Sequence, residues 1–151
     1  MLTLKAAKNH SHNLSKARSA SHVSTETLNA VLKFHKSIGN KSTPLVDLPG
    51  LANDLGVKSV FIKDDSQRLG LNAFKGLGAS YAMHKQLEKN PNIEVFCTAT
   101  DGNHGKAVAW MARKLSKKAV IYMPKGTVSD RVKAIEKEGA KVIVIDGGYD
   151  D

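Results

Sequence analysis

The run EVFCTATDGNHGKAVAWMARKLSKKAVIYMP, residues 94–124, decides the fold. EVFCTAT is rich in β-prone residues and reads as a buried strand. From about Asn103 to Ser116 a helix follows, because Ala107, Val108, Met111, Ala112 and Leu115 recur at helical spacing. AVIYM returns to strand character, and Pro124 with Gly126 breaks it. Strand, helix and strand in such close succession make a βαβ unit, with parallel strands and a right-handed crossover.

The flanks repeat the alternation. SVFIKD, around Ser59 to Asp64, reads as a short strand. A helix over about Ala73 to Lys89 carries Leu77, Tyr81, His84 and Leu87 on one face. Downstream, Val128, Val132 and Ile135 line one side of a helix that Gly139 ends, and Thr127 with Asp130 resembles its capping box. KVIVI is the last strand. Upstream, Thr25 to Ser37 reads as an amphipathic helix with Leu28, Val31, Leu32 and His35 inward, and STPLVDLPG is an extended connection marked by Pro44 and Pro49. The expected class is α/β, a three-layer αβα arrangement whose parallel sheet is covered on both faces. Residues 1–42 form a basic N-terminal segment with one helix, and 43–151 form the α/β portion. The chain stops at GGYDD directly after a strand that wants a covering helix, so we expect an incomplete layer and a fragment.

Composition excludes several classes. With 41% apolar and 25% charged residues the chain is ordinary globular protein, and its apolar runs are far too short to span a membrane. The first residues, MLTLKAAKNHSHNLSKARSASH, hold no Asp or Glu and lack the apolar core of a secretory signal; a loosely packed terminus is preferred to a transit peptide. The net charge of +9 is spread over helix faces, and aromatics are only 5%, which leaves few stacking platforms for nucleic acid. Cys97 is the only cysteine, so no intrachain disulfide forms; a buried thiol and a reducing, cytoplasmic setting are expected. His10, His12, His22, His35 and His84 show no metal-ligand spacing.

Two segments carry chemistry. TATDGNHG, around Asp101 to Gly105, is a strand-to-helix turn, where ligands bind in open α/β sheets. It offers the Asp101 carboxylate, Asn103 and the free N–H groups of a helix start. LGLNAFKGLGASYA places Lys75 near the start of the preceding helix. There the helix dipole disfavours an ammonium ion, and partial burial would do so further; only the free amine attacks a carbonyl. Ala73, Gly76 and Gly78 would let a planar ring approach the backbone. Taken singly, each has a plain structural reading: Lys75 as a solvated charge, Asp101 as an N-cap, His104 as a packing residue.

Together and in this order, FIKDDSQRLG, LNAFKGLGASYA, TATDGNHGKAVAWMARKL and AVIYMP resemble the fold-type II pyridoxal-phosphate (PLP) enzymes, which include threonine and serine dehydratases. The resemblance covers roughly Thr43 to Asp151 and implies the fold of the tryptophan synthase β-subunit. Asp101 replaces the small residue usual before G-N-H-G, and L-N-A-F-K replaces the usual S-F-K form. That pattern, with YMPKGTVSDRV and GGYDD, is similar to the diaminopropionate ammonia-lyase branch.

The resemblance implies that Lys75 carries PLP and takes the α-proton of the L-substrate. Asp101, on the opposite side, would be the base for the D-substrate. Asn103 would hydrogen-bond the cofactor's 3′-oxygen, and Thr100, Asp101, Gly102 and His104 would bind the substrate carboxylate. The reaction implied is α,β-elimination of 2,3-diaminopropionate to pyruvate and ammonia, by a homodimer at full length. The family's glycine-rich phosphate loop and the group facing the pyridine nitrogen fall past Asp151, so the polypeptide alone is expected to be a poor catalyst or inactive. The alternatives are a threonine or serine dehydratase, in which Asp101 is merely a cap, and a non-catalytic fragment of the fold.

Overall fold

The computed structural model describes residues 23–148. The readings made for the first 22 residues and for Tyr149 to Asp151 therefore lie outside the described residues. The elements run α1 (Thr25–Ser37), β1 (Leu45–Asp47), α2 (Pro49–Leu55), β2 (Phe61–Lys63), a 3₁₀ turn (Arg68–Gly70), α3 (Lys75–Lys89), β3 (Val95–Ala99), α4 (Asn103–Lys114), β4 (Lys118–Pro124), α5 (Ser129–Glu136) and β5 (Lys141–Ile145).

β3, β4 and β5 form a parallel sheet in that order, with Thr98 opposite Ile121 and Ile121 opposite Val142. The expected α/β class with a parallel sheet is what the chain adopts. Ahead of it, β1 and β2 pair antiparallel as a separate small ribbon.

The core lies on one face of the sheet. Ala119, Ile121 and Met123 alternate along β4 and are buried, Ile121 and Met123 completely. α4 packs on them and is buried almost all round, with Ala107, Val108, Ala109, Trp110, Met111 and Ala112 inside. Its expected stripe held, but the small residues between also face neighbours, since α3 and α5 flank it. Burying each large apolar side chain contributes roughly 1.5–3 kcal/mol, so this layer dominates the stability of the described region.

The opposite sheet face departs from expectation. Two successive right-handed crossovers that step in one direction put both helices on the same side. Among the described residues nothing covers Val95, Cys97 and Ala99, which are exposed, and Cys97 is a free, exposed thiol rather than a buried one.

Three local expectations are corrected. Leu28 and Leu32 of α1 are exposed, whereas Phe34 and His35, near its C-terminal end, meet α3. The ring of Phe34 stacks on His84 at 4.5 Å and meets Tyr81 edge-on at 5.5 Å. On α3 the buried stripe is Gly76, Ala79, Ser80 and Met83, facing the core; Leu77, Tyr81, His84 and Leu87 are half-buried beside it. Finally, no capping box forms at α5. Thr127 Oγ1 donates instead to the Pro124 carbonyl at 2.8 Å, closing the preceding turn, and Val128 takes the N-cap position without a side-chain bond.

Candidate active site

In a parallel sheet all carboxyl ends lie at one edge, and each strand hands the chain to its helix there. The turn after β3 (Thr100 to Gly102) therefore neighbours the turn after β4. The start of α3, which runs back against the strands, comes to the same edge. A cavity of about 440 Å³ opens at this point, lined by Lys75, Thr100, Asp101, Gly102, Asn103, His104 and Arg131. All six residues singled out from sequence line it; Arg131 is the one that sequence reading missed.

The turn is built from within. Thr100 is buried, and its amide donates to the Tyr122 carbonyl at 2.9 Å, extending the β3–β4 ladder by one rung. Its Oγ1 accepts the Gly102 N–H at 3.1 Å. This places the Thr100 hydroxyl beneath the loop and commits the Gly102 amide. Lys106 N–H closes the first helical bond to the Gly102 carbonyl at 3.2 Å, so the amides of Asn103, His104 and Gly105 have no intrahelical acceptor. They give the cavity floor a partial positive charge suited to an anionic or polar ligand atom.

Asp101 is not an N-cap; Gly102 holds that position, and no side chain caps the helix. The Asp101 carboxylate is exposed and lies 4.0 Å from Arg131 Nη1, which also donates to the Asp101 carbonyl at 3.2 Å. Arg131 sits in the first turn of α5, on the neighbouring strand-to-helix connection. Its one sequence signal was that position, next door to the turn already chosen.

Lys75 is the first residue of α3. Contrary to the expected partial burial, it is exposed, with Nζ 5.0 Å from the centre of the Phe74 ring. The approach to it is conformationally unusual: Leu69 and Asn72, neither of them glycine, have φ of 54° and 60°. Of the small residues, Gly76 faces inward, where a Cβ would meet Leu71 Cδ1 at 2.7 Å. Its size serves packing. Gly78 is the open one, lining an apolar groove with Phe74, Leu77, Ala79, Ala82 and His104 beside Lys75.

A primary amine at a cavity mouth, helix-start amides, a carboxamide at Asn103 and an aromatic ring at Phe74 match what PLP's aldehyde, ring oxygen and ring face would need. The cavity also falls in the usual range for small-ligand sites, about 300–1,000 Å³. The described residues thus fit the ring side of the cofactor. When bound, PLP would supply an electron sink that makes the α-proton of a bound amino acid acidic.

Residues 36–151 match the family model "Pyridoxal-phosphate dependent enzyme", and the chain belongs to that family. It is 45% identical over 137 residues to the diaminopropionate ammonia-lyase of Escherichia coli (strain K12), a match covering 79% of this chain and 34% of that protein. Similarity to an L-threonine dehydratase of Pasteurella multocida is lower, at 35% identity over 133 residues, covering 88% of this chain and 25% of the relative. Among solved structures, Escherichia coli diaminopropionate ammonia lyase in complex with an aminoacrylate–PLP azomethine reaction intermediate superposes with a TM-score of 0.78 at 46% identity. That superposition covers 85% of this chain and 36% of the other. The chain thus spans about a third of the length of the ammonia-lyases it matches.

Proposed function

We propose that the full-length protein carrying this sequence is a PLP-dependent ammonia-lyase that converts 2,3-diaminopropionate to pyruvate and ammonia. The observation that carries the reading is the shared lining of one cavity by Lys75 and Asp101, a primary amine and a carboxylate contributed by different elements. The identity with diaminopropionate ammonia-lyases supports the choice of substrate.

Lys75 holds the cofactor and accepts the α-proton of the L-substrate; Asp101 accepts that of the D-substrate. The amides of Asn103 to Gly105 and the His104 side chain receive the substrate carboxylate, and the Asn103 carboxamide orients the cofactor's ring oxygen. Thr100 and Gly102 shape the loop. Cleavage of the Cα–H and Cβ–N bonds releases the β-amino group as ammonia and leaves aminoacrylate. Its hydrolysis gives pyruvate and a further ammonia. The reading includes a cytoplasmic homodimer; sedimentation of the full-length protein tests its oligomeric state.

Two measurements test the function. Addition of PLP should produce an absorbance band at about 410–420 nm, from the imine chemistry of a lysine amine. Borohydride should bleach it and leave the reduced cofactor's mass on Lys75. Turnover of 2,3-diaminopropionate should exceed that of threonine; preference for threonine would favour the dehydratase alternative and overturn this assignment.

A further inference from the structure

We propose that Arg131 is a positioning residue that braces the Asp101 turn and aims its carboxylate into the cavity, so that it governs use of the D-enantiomer. The inference rests on the proposed function and names a residue that reading does not require.

Asp101 gets little direction from its own segment. It does not cap α4, and the hydrogen bond within the turn runs from Gly102 to Thr100, bypassing its side chain. Arg131 comes from outside, from the first turn of α5. Its Nη1 donates to the Asp101 carbonyl at 3.2 Å, and the same nitrogen stands 4.0 Å from Oδ2. Its stem runs beside the next residue, since a Cβ built on Gly102 would lie 3.7 Å from Arg131 Cδ. One guanidinium thus holds the Asp101 backbone and faces its carboxylate, while its stem passes beside Gly102.

The geometry decides what this contact can do. Side-chain exposures of 59% for Arg131 and 67% for Asp101 make the ion pair too weak to matter for stability. At 4.0 Å the carboxylate is steered but not hydrogen-bonded, which leaves its oxygens available to take a proton. The carbonyl bond does the holding and the charge does the aiming. Lys75 is carried by a different helix and, among the described residues, shares no hydrogen bond or ion pair with Arg131, so the two enantiomers should depend on Arg131 to different degrees.

The test uses the full-length holoenzyme with Arg131→Met and Arg131→Lys, each assayed on D- and L-2,3-diaminopropionate, and amide hydrogen exchange on the same proteins. For Arg131→Met, kcat with the D-enantiomer should fall about ten- to a hundredfold further than kcat with the L-enantiomer, the scale expected from a misplaced catalytic group. KM should change less than kcat. Arg131→Lys, which keeps a charge and a donor but not the fork, should recover part of the loss. Exchange at Gly102, whose amide bonds to Thr100, should quicken in Arg131→Met while the amides of β4 stay unchanged. Equal losses with both enantiomers, or unaltered exchange in the 100–104 turn, would overturn the proposal. If wild-type enzyme turns over neither enantiomer, the proposed function and the stereochemical part fall together, and exchange alone then decides whether Arg131 braces the turn.

Discussion

A Cβ placed on Gly105 would stand 2.4 Å from Thr100 Cγ2, 2.8 Å from Ile121 Cγ2 and 3.1 Å from Ile135 Cδ1. Thr100, Ile121 and Ile135 are all β-branched and buried, so none can swing aside. The glycine of the DGNHG turn lets α4 sit directly on the sheet and brings the helix start to the cavity.

Gly105→Ala should therefore destabilise the protein by about 1–3 kcal/mol, the usual cost of forcing atoms into a packed core. Gly78→Ala is the control. Its Cβ meets nothing within 4 Å and its φ is negative, so alanine should be neutral or stabilise by about 0.5–1 kcal/mol. Urea unfolding midpoints compare the two; equal midpoints would contradict the packing account.

At the candidate site, Asp101→Asn keeps the shape of the turn and removes the proton acceptor. On the proposed function, kcat with the D-enantiomer should drop about 10²–10⁴-fold, the scale of a lost general base, and kcat with the L-enantiomer should drop far less. Steady-state kinetics on the full-length enzyme decide it, and a D-rate that survives the change would remove Asp101 from its role.

His35 Nε2 donates to the Leu77 carbonyl at 3.0 Å and ties α1 to the first turns of α3, two residues from Lys75. His35→Phe preserves a ring beside Phe34 and Tyr81 but deletes the bond. The Leu77 carbonyl still accepts from Ser80 Oγ at 3.1 Å, so it is not left bare. The loss should be about 0.5–1.5 kcal/mol, seen in thermal or urea unfolding, with faster amide exchange in α1.

Asp65 provides the acid response. Its hydrogen bond to Arg68, 2.9 Å from Nη2, and a second from Thr43 Oγ1 at 2.9 Å hold the carboxyl below the ordinary aspartate range. Arg68 is itself buried and donates to Asn40 Oδ1 at 2.7 Å. A carboxyl depressed in the folded state contributes stability that is complete above its unfolded value, about 3.9, and is lost as pH falls through the folded value. The stability gap between wild type and Asp65→Asn should be flat from about pH 5 upward and shrink below about 3.9. A gap that is unchanged down to acid unfolding would show that the carboxylate charge does not matter there.

Local pattern determined the element types. The 3.6-residue recurrence in Ala107 to Ala112 and the β-prone AVIYM run need only their own neighbours to declare a helix and a strand, and the turn residues punctuate them. The motif residues from Lys75 to His104 were legible because each lies next to a chain feature, a helix start or a strand end. Contacts between distant segments could not be read this way. Leu28 and Leu32 show helical spacing yet stay exposed, because only packing decides how far α1 overlaps α3. Cys97 sits in an apolar run yet is exposed, because successive crossovers placed the helices on one face. Arg131 reaches Asp101 across 30 residues of sequence only because β3 and β4 are parallel neighbours whose carboxyl ends adjoin. Sequence determined which groups the site would draw on; the register of the sheet and the close seat of α4 on Gly105 decided how they meet.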